Sequence, residues 1–237
     1  MAIYYFNASV ISRSAGRSAT ASAAYRAAER IKDERTGEVH DYRKKKGVDE
    51  KIILAPDSAP NWVHNREKLW NEVERVEYRI NSQLAREIQL AIPVELNRTQ
   101  QVELVKEYAN DLFVKEGMIA DVAFHELNSH NPHAHIMLTM REIDENGFKK
   151  KKNRDWNKRE LLEKQREGWS SYANVALEKA GIEERIDHRT LKEQGINRIP
   201  QIHLGSAVTA MMKRGVATDK GDRWLEIEKA NKQIESL

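Results

Sequence analysis

Apolar and polar positions along this chain repeat with two different periods, and the period changes from segment to segment. In Arg86–Ile92 the residues Ile88, Leu90 and Ile92 fall on one parity, with Glu87, Gln89 and Ala91 on the other. In His133–Met140, Ala134, Ile136, Leu138 and Met140 alternate with His133, His135, Met137 and Thr139. The run ending at His125 groups that histidine with Asp121 and Ala123, against Val122 and Phe124. A period of two is the mark of a strand with one apolar and one polar face. Several such runs predict an antiparallel sheet whose apolar back takes helices and whose polar front is free for chemistry.

Helical periods fill the intervals. Ser18 is placed to cap an alanine-rich helix over Ala19–Ile31. Pro60 opens an amphipathic helix to about Asn81, with Trp62, Leu69, Val73, Val76 and Ile80 as apolar anchors. Thr99–Lys115 is a third, capped by Asn97 or Thr99, and Lys158–Ala180 a fourth, ended by Gly181. Shorter strands are expected at Ala2–Ala8, Val39–Tyr42 and Lys51–Leu54, with Thr36-Gly37 as the turn of a hairpin. The remainder reads as irregular, with a last helix near Trp224–Ser236.

Composition narrows the class. With 237 residues the chain can bury a sizeable core. It has no cysteine, which excludes disulfides and thiolate metal sites. No apolar run is long enough to span a membrane, and the first residues read as a strand rather than a signal peptide, so a cytoplasmic protein with no membrane insertion is expected. Charge is abundant but balanced, 40 Lys+Arg against 37 Asp+Glu. Its distribution says more. Arg43-Lys44-Lys45-Lys46 and the run Lys149, Lys150, Lys151, Lys152 and Arg154, followed by Trp156, Lys158 and Arg159, are dense basic clusters. Such clusters are ordinarily solvated loops. Two of them, one with an aromatic, also suit a phosphate backbone and a stacking platform.

The chemistry concentrates in His125-Glu-Leu-Asn-Ser-His-Asn-Pro-His133-Ala-His135. His133 and His135, two apart, share a strand face, and a hairpin across the Asn-Pro turn would bring His125 to them. Isolated strand histidines are mostly structural. Three on one parity predict an open divalent-metal site able to polarise a phosphoryl oxygen. Glu87, on the polar parity of its own strand, is either a surface carboxylate or the partner of a ligand imidazole.

A second segment, Gly16-Arg-Ser-Ala-Thr-Ala-Ser-Ala-Ala-Tyr25-Arg, sets one tyrosine two turns into a helix of small residues. A lone tyrosine there is ordinarily a boundary residue of the core. Beside a metal site it could attack a phosphodiester, given a nearby cation, since phenols ionise near pH 10 in model peptides. Tyr4, Tyr5 and Tyr42 compete for that role from less suitable strand or loop positions.

These residues carry a resemblance. Met-Ala-Ile-Tyr-Tyr-Phe at the start, Gly16–Arg26, Leu84-Ala-Arg-Glu87-Ile with Ala91-Ile-Pro-Val-Glu-Leu, Asn131-Pro-His133-Ala-His135-Ile, and Arg185-Ile-Asp-His-Arg-Thr-Leu-Lys-Glu-Gln-Gly-Ile with His203-Leu-Gly resemble the MobA/MobL relaxases in order and over nearly the whole chain. The resemblance implies an α+β HUH-endonuclease fold: a central antiparallel β-sheet with helices packed on one face, plus a mostly helical C-terminal extension. The expected organisation is a single nicking domain over 1–237, with 1–145 as catalytic core and 146–237 as a basic DNA-contacting extension. It further implies Tyr25 as nucleophile, His125, His133 and His135 as ligands of Mg²⁺ or Mn²⁺, and Glu87 as their support. Where some members have another carboxylate, this chain has Gln89, which puts a second acid there in doubt. Arg17 and Arg26 join Lys149–Lys152, Arg154, Trp156, Lys158 and Arg159 as expected DNA contacts; His188 and His203 are expected to be structural.

The implied reaction is nicking of origin-of-transfer DNA through a 5′-phosphotyrosyl intermediate, with later rejoining. The implied partners are that single strand with its adjacent hairpin, accessory relaxosome proteins and a type IV secretion coupling protein, and the full-length protein would enter recipient cells. Members of the family continue into further C-terminal domains, and nothing of that kind follows Leu237, so the chain is expected to be the nicking domain of a truncated product. A rolling-circle replication initiator would use the same groups. A DNA-binding repressor with a structural metal would bind without cutting, and a metal-dependent hydrolase would cut without a covalent adduct.

Overall fold

A computed structural model describes residues 2–235. The chain divides into two compact units, Met1–His188 and Arg189–Leu237. The first runs in the order β1 (Phe6–Ser12), α1 (Ala19–Ala27), β2 (Arg30–Lys32), β3 (Val39–Asp41), β4 (Val48–Leu54), α2 (Arg66–Val76), β5 (Gln83–Ala91), α3 (Arg98–Ala109), β6 (Ala120–His125), β7 (His133–Leu138), β8 (Ile143–Asp144), β9 (Gly147–Phe148) and α4 (Arg159–Lys179). The central sheet has the order β1-β5-β7-β6-β4 and is antiparallel throughout. The chain is α+β, as its alternating patterns predict.

Both faces of the sheet are used. On the back, Ile88, Leu90, Val122, Phe124, Ile136 and Leu138 form one core with Val105 and Tyr108 of α3 and Trp169, Ala173 and Leu177 of α4. Each fully buried large apolar side chain there contributes about 1.5–3 kcal/mol. The front adds helices that the expected one-sided arrangement lacks: Ile11, Ile53, Ala85 and Met137 meet Ala19 and Ala23 of α1 and Leu69, Trp70 and Val73 of α2. One half of the front is thus dry core, and the other half is left polar. Alternation identifies the faces but does not show how far along each strand a helix covers them.

Element ends differ from the periodic reading for local reasons. β1 begins and ends four residues later than expected, because its partner β5 pairs Phe6 with Leu90 and Ser12 with Gln83. α1 starts at the Ser18 cap, whose side chain accepts from Ala21 N at 3.0 Å, as predicted. It stops at Ala27, where Ala28 turns left-handed at φ 50°. Ile31, expected in the helix, is fully buried in β2 instead. The helix expected from Pro60 splits into a 3-10 turn over Asn61–His64 and α2, which Asn65 caps anew and which ends at Val76. Ile80 is 82% exposed, so it anchors nothing. Asn97 caps α3 with a reciprocal Gln100 bond, and a π-helical turn over Asn110–Val114 follows.

The expected boundary at 145 has no counterpart among the units. α4 is part of the back core, and the first unit runs to His188. The second unit contains α5 (Ser206–Lys213), which was not expected, and α6 (Asp219–Glu235). The Asn231 amide, 5% exposed, brackets the Ile199 backbone, accepting from its N–H at 2.8 Å and donating to its carbonyl at 2.9 Å. No helix among the described residues is long and apolar enough to cross a membrane.

Candidate metal centre and tyrosine site

The register of the sheet builds the candidate metal centre. In the β6–β7 pair His125 lies directly opposite His133, and Ala123 opposite His135. Directly opposed residues share a face, as do residues two apart. The three imidazoles therefore stand on the polar half of the front, and one ring nitrogen from each lies within 4.8 Å of the others.

Hydrogen bonds occupy the other ring positions. His125 Nε2 lies 2.8 Å from the Arg26 carbonyl, His133 Nδ1 2.8 Å from the Asn131 carbonyl, and His135 Nδ1 2.9 Å from Glu87 Oε1. Each of these oxygens only accepts, so each of these nitrogens donates. The lone pairs are left on His125 Nδ1, His133 Nε2 and His135 Nε2. Burial, the largest cause, pushes the His125 imidazole down to about 3, against the opposing pull of its bond to Arg26. Burial likewise lowers His135, partly offset by Glu87. Both rings are neutral at neutral pH. Three imidazoles with outer nitrogens held by oxygen acceptors fit a divalent ion with open positions.

Glu87 is 7% exposed on β5, so the surface reading fails. Burial alone would raise its carboxyl, but bonds from His135 and Arg26 outweigh that and take it down to about 2. Arg26, expected on DNA, instead grips both Glu87 oxygens from α1. Its charge is thereby matched inside the protein. Arg17 lies farther out, 3.9 Å from the same carboxylate, with its side chain 38% exposed. Gln89 pairs across β5–β7 with His135, on the same face.

Tyr25 adjoins this cluster through the chain itself. It precedes Arg26, whose carbonyl binds His125 and whose guanidinium binds Glu87. Its side chain is half exposed. Tyr42 meets the ring edge-on at 5.2 Å between centroids. Lys45 Nζ stands 4.0 Å from the ring centroid and donates to the Tyr25 carbonyl at 2.9 Å. Lys45 was expected only as one of four basic neighbours. Nothing in a run of lysines distinguishes the one that folds back over a ring. Tyr4 packs on the back core and donates to the Arg166 carbonyl at 3.3 Å.

The second basic cluster is less uniform than its sequence. Lys150, Lys151 and Arg154 are exposed. Lys149 is paired with Asp144, Lys158 with Asp155 at 2.9 Å, and Arg159 lies 3.9 Å from Glu163. Lys152 reaches inward to the Gln83 carbonyl and to Glu77 at 3.0 Å. Trp156 corrects the expectation of a stacking platform: it is 2% exposed in the back core, and its carbonyl accepts from Arg86 at 2.6 Å. His188 is held 3.2 Å from Ser170 Oγ, a structural contact.

Over 254 residues the chain is 36% identical to "Mobilization protein A" of Escherichia coli, an alignment covering all of this chain and 34% of that protein. Over 244 residues it is 35% identical to "Conjugal transfer protein TraA" of Rhizobium radiobacter, covering 90% of this chain and 22% of the relative. The chain therefore spans about a fifth to a third of these relatives. A solved structure described as "Molecular Basis of Vancomycin Resistance Transfer in Staphylococcus aureus" superposes with a TM-score of 0.76 at 39% identity, over 80% of this chain and all of that one. The MobA/MobL family profile matches residues 17–214, a span that contains the tyrosine, the glutamate and all three histidines, and the chain belongs to the MobA/MobL family.

Proposed function

We propose that this chain is the strand-nicking domain of a conjugative relaxase, cutting one strand of origin-of-transfer DNA by tyrosine transesterification. The observation that carries the reading is the convergence of three imidazoles, one ring nitrogen of each within 4.8 Å of the others, in a cluster bonded to Arg26, the residue after a half-exposed tyrosine. A divalent ion such as Mg²⁺ or Mn²⁺ held by His125, His133 and His135 would supply positive charge to a phosphate oxygen.

The chain's own residues do the rest. Glu87 and the Arg26 and Asn131 carbonyls fix which imidazole nitrogens face inward. Lys45 and Tyr42 hold the Tyr25 ring, the ammonium against its face and the second ring edge-on. Tyr25 Oη attacks the scissile phosphorus, the P–O3′ bond breaks, and the phenol's proton is balanced by one taken up at the departing 3′-oxygen. One phosphodiester becomes a phosphotyrosyl diester and no water is consumed, so the 3′-OH can reverse the step and rejoin the strand. The exposed Lys150, Lys151 and Arg154 offer phosphate contacts. Hairpin recognition and docking to accessory and coupling proteins belong to this proposal.

The test uses single-stranded oligonucleotides from the origin region, labelled separately at each end and incubated with Mn²⁺. Label from the 3′ side of the cut should migrate with denatured protein, disappear with EDTA and be absent in Tyr25→Phe. Cleavage without an adduct would replace the reading with a hydrolase. Tight binding without cleavage would replace it with a repressor.

A further inference from the structure

Beside Tyr25 a groove of about 560 Å³ opens between α1 and the β2–β3 hairpin. Its floor is one face of α1. Ser18, Ala21, Ser22 and Tyr25 follow the spacing of a single helical stripe, so the small residues form a track that ends at the tyrosine ring. Its far wall is the hairpin, which contributes Arg35 and His40.

Three features of this groove point to a ligand. Arg17 and Arg35 are each anchored from below and open above. Arg17 lies 3.9 Å from buried Glu87, and Arg35 Nε 3.4 Å from Glu74, which is itself 1% exposed. Their side chains are 38% and 43% exposed, and a guanidinium has five N–H donors, so most donors remain for an incoming group. His40 Nε2 is shielded from solvent yet has no hydrogen-bond partner. Buried ring nitrogens are ordinarily paired, so this one is an unmet hydrogen-bonding position in a residue of the groove's wall. Asp33, the acid at the base, is already engaged by Thr20 Oγ1 at 2.7 Å and by the Arg35 and Thr36 amides at 3.0 Å. It orders the hairpin turn.

The chemistry that matches is a phosphate beside a flat heterocycle with hydrogen-bonding edges. We propose that this groove is the subsite for one unpaired nucleotide adjoining the phosphate that Tyr25 attacks, with its phosphate held by Arg17 and Arg35 and its base read by His40. This rests on the nicking function proposed above and adds to it a place where sequence is read. Guanidinium fits phosphate oxygens in pairs, which fixes the strand's direction along α1. The small residues of the floor let sugar and base lie close to the helix. The base edge then meets a nitrogen that only a polar partner can satisfy.

The experiment takes an origin oligonucleotide on which the wild-type chain forms its adduct. Each of about three positions on either side of the nick is made abasic in turn, and binding is followed by fluorescence anisotropy with wild type, His40→Ala and Arg35→Gln. One position adjoining the nick should cost the wild type about tenfold in affinity, and that penalty should fall below about threefold in His40→Ala. Arg35→Gln, an exposed site that folding tolerates, should weaken every oligonucleotide alike and lower the salt dependence by about one ion. Equal penalties in wild type and His40→Ala at every position would overturn the subsite. A wild type that forms no adduct on any origin oligonucleotide would instead overturn the nicking function on which it rests.

Discussion

His135 Nδ1 stands 2.9 Å from Glu87 Oε1, and the same carboxylate is clasped from its other side by Arg26. One buried anion therefore orients an imidazole on the sheet and secures the helix that bears Tyr25. Removing it leaves Arg26 charged and unmatched inside the protein. Glu87→Ala should cost about 3–5 kcal/mol of stability and weaken divalent-metal affinity about 10–100-fold. Chemical denaturation and calorimetric titration with Mn²⁺ read the two effects separately. Unchanged metal affinity in a folded Glu87→Ala would dismiss the carboxylate's role at the metal centre.

Tyr25→Phe removes one exposed hydroxyl. Stability should change by no more than about 0.5 kcal/mol, and anisotropy should show DNA binding kept. The covalent adduct should vanish. A surviving adduct would move the nucleophile to another side chain, with Tyr42 the first to examine.

Lys45→Met deletes the cation over the Tyr25 ring and the bond to its carbonyl. The single-turnover rate of adduct formation should drop about tenfold, the value of a partly desolvated cation–π contact. Lys45→Arg keeps the charge and should recover most of that rate. A Met variant as fast as the wild type would reduce Lys45 to a bystander.

Acid should weaken the metal-free fold through groups whose folded values are depressed. His125 sits at about 3 against an ordinary 6.5, and His135 shifts in the same direction. As pH falls below 6.5 the unfolded chain takes up these protons and the folded one does not, so stability drops across that window. Glu87, at about 2 against 4.5, adds a second loss below 4.5. Thermal melts in EDTA should therefore give a melting temperature that declines from about pH 7 to about pH 4. A rise over the same range would contradict the buried, neutral state of the imidazoles.

Ser18→Ala removes the cap of α1 and should cost about 1 kcal/mol. Because that helix carries the tyrosine, adduct formation should slow by more than the lost fraction of folded protein. A loss confined to stability would mean that the cap does not help to place Tyr25.

Much of this site is written in local pattern. Parity alone puts His125, His133 and His135 on one face, and the Asn-Pro turn between them announces the hairpin. Ser18 and Asn97 are legible as caps because their chemistry acts within three residues. What escaped is long-range. Trp156 looks like a nucleic-acid platform until α4 buries it, and Arg26 looks free for phosphate until β5 brings Glu87 beneath it. Four consecutive basic residues do not reveal that Lys45 alone turns onto a ring. Basic side chains are read poorly for a general reason: their charge is local information, while the partner that matches it is not.

The bond between His125 and the Arg26 carbonyl spans 99 positions of sequence. The last turn of α1 is thus tied to a side chain of β6. Closing so long a loop carries an entropy cost that the contacts it brings together must offset. A chain that has not closed this loop has the tyrosine without the bond that ties the end of its helix to the sheet.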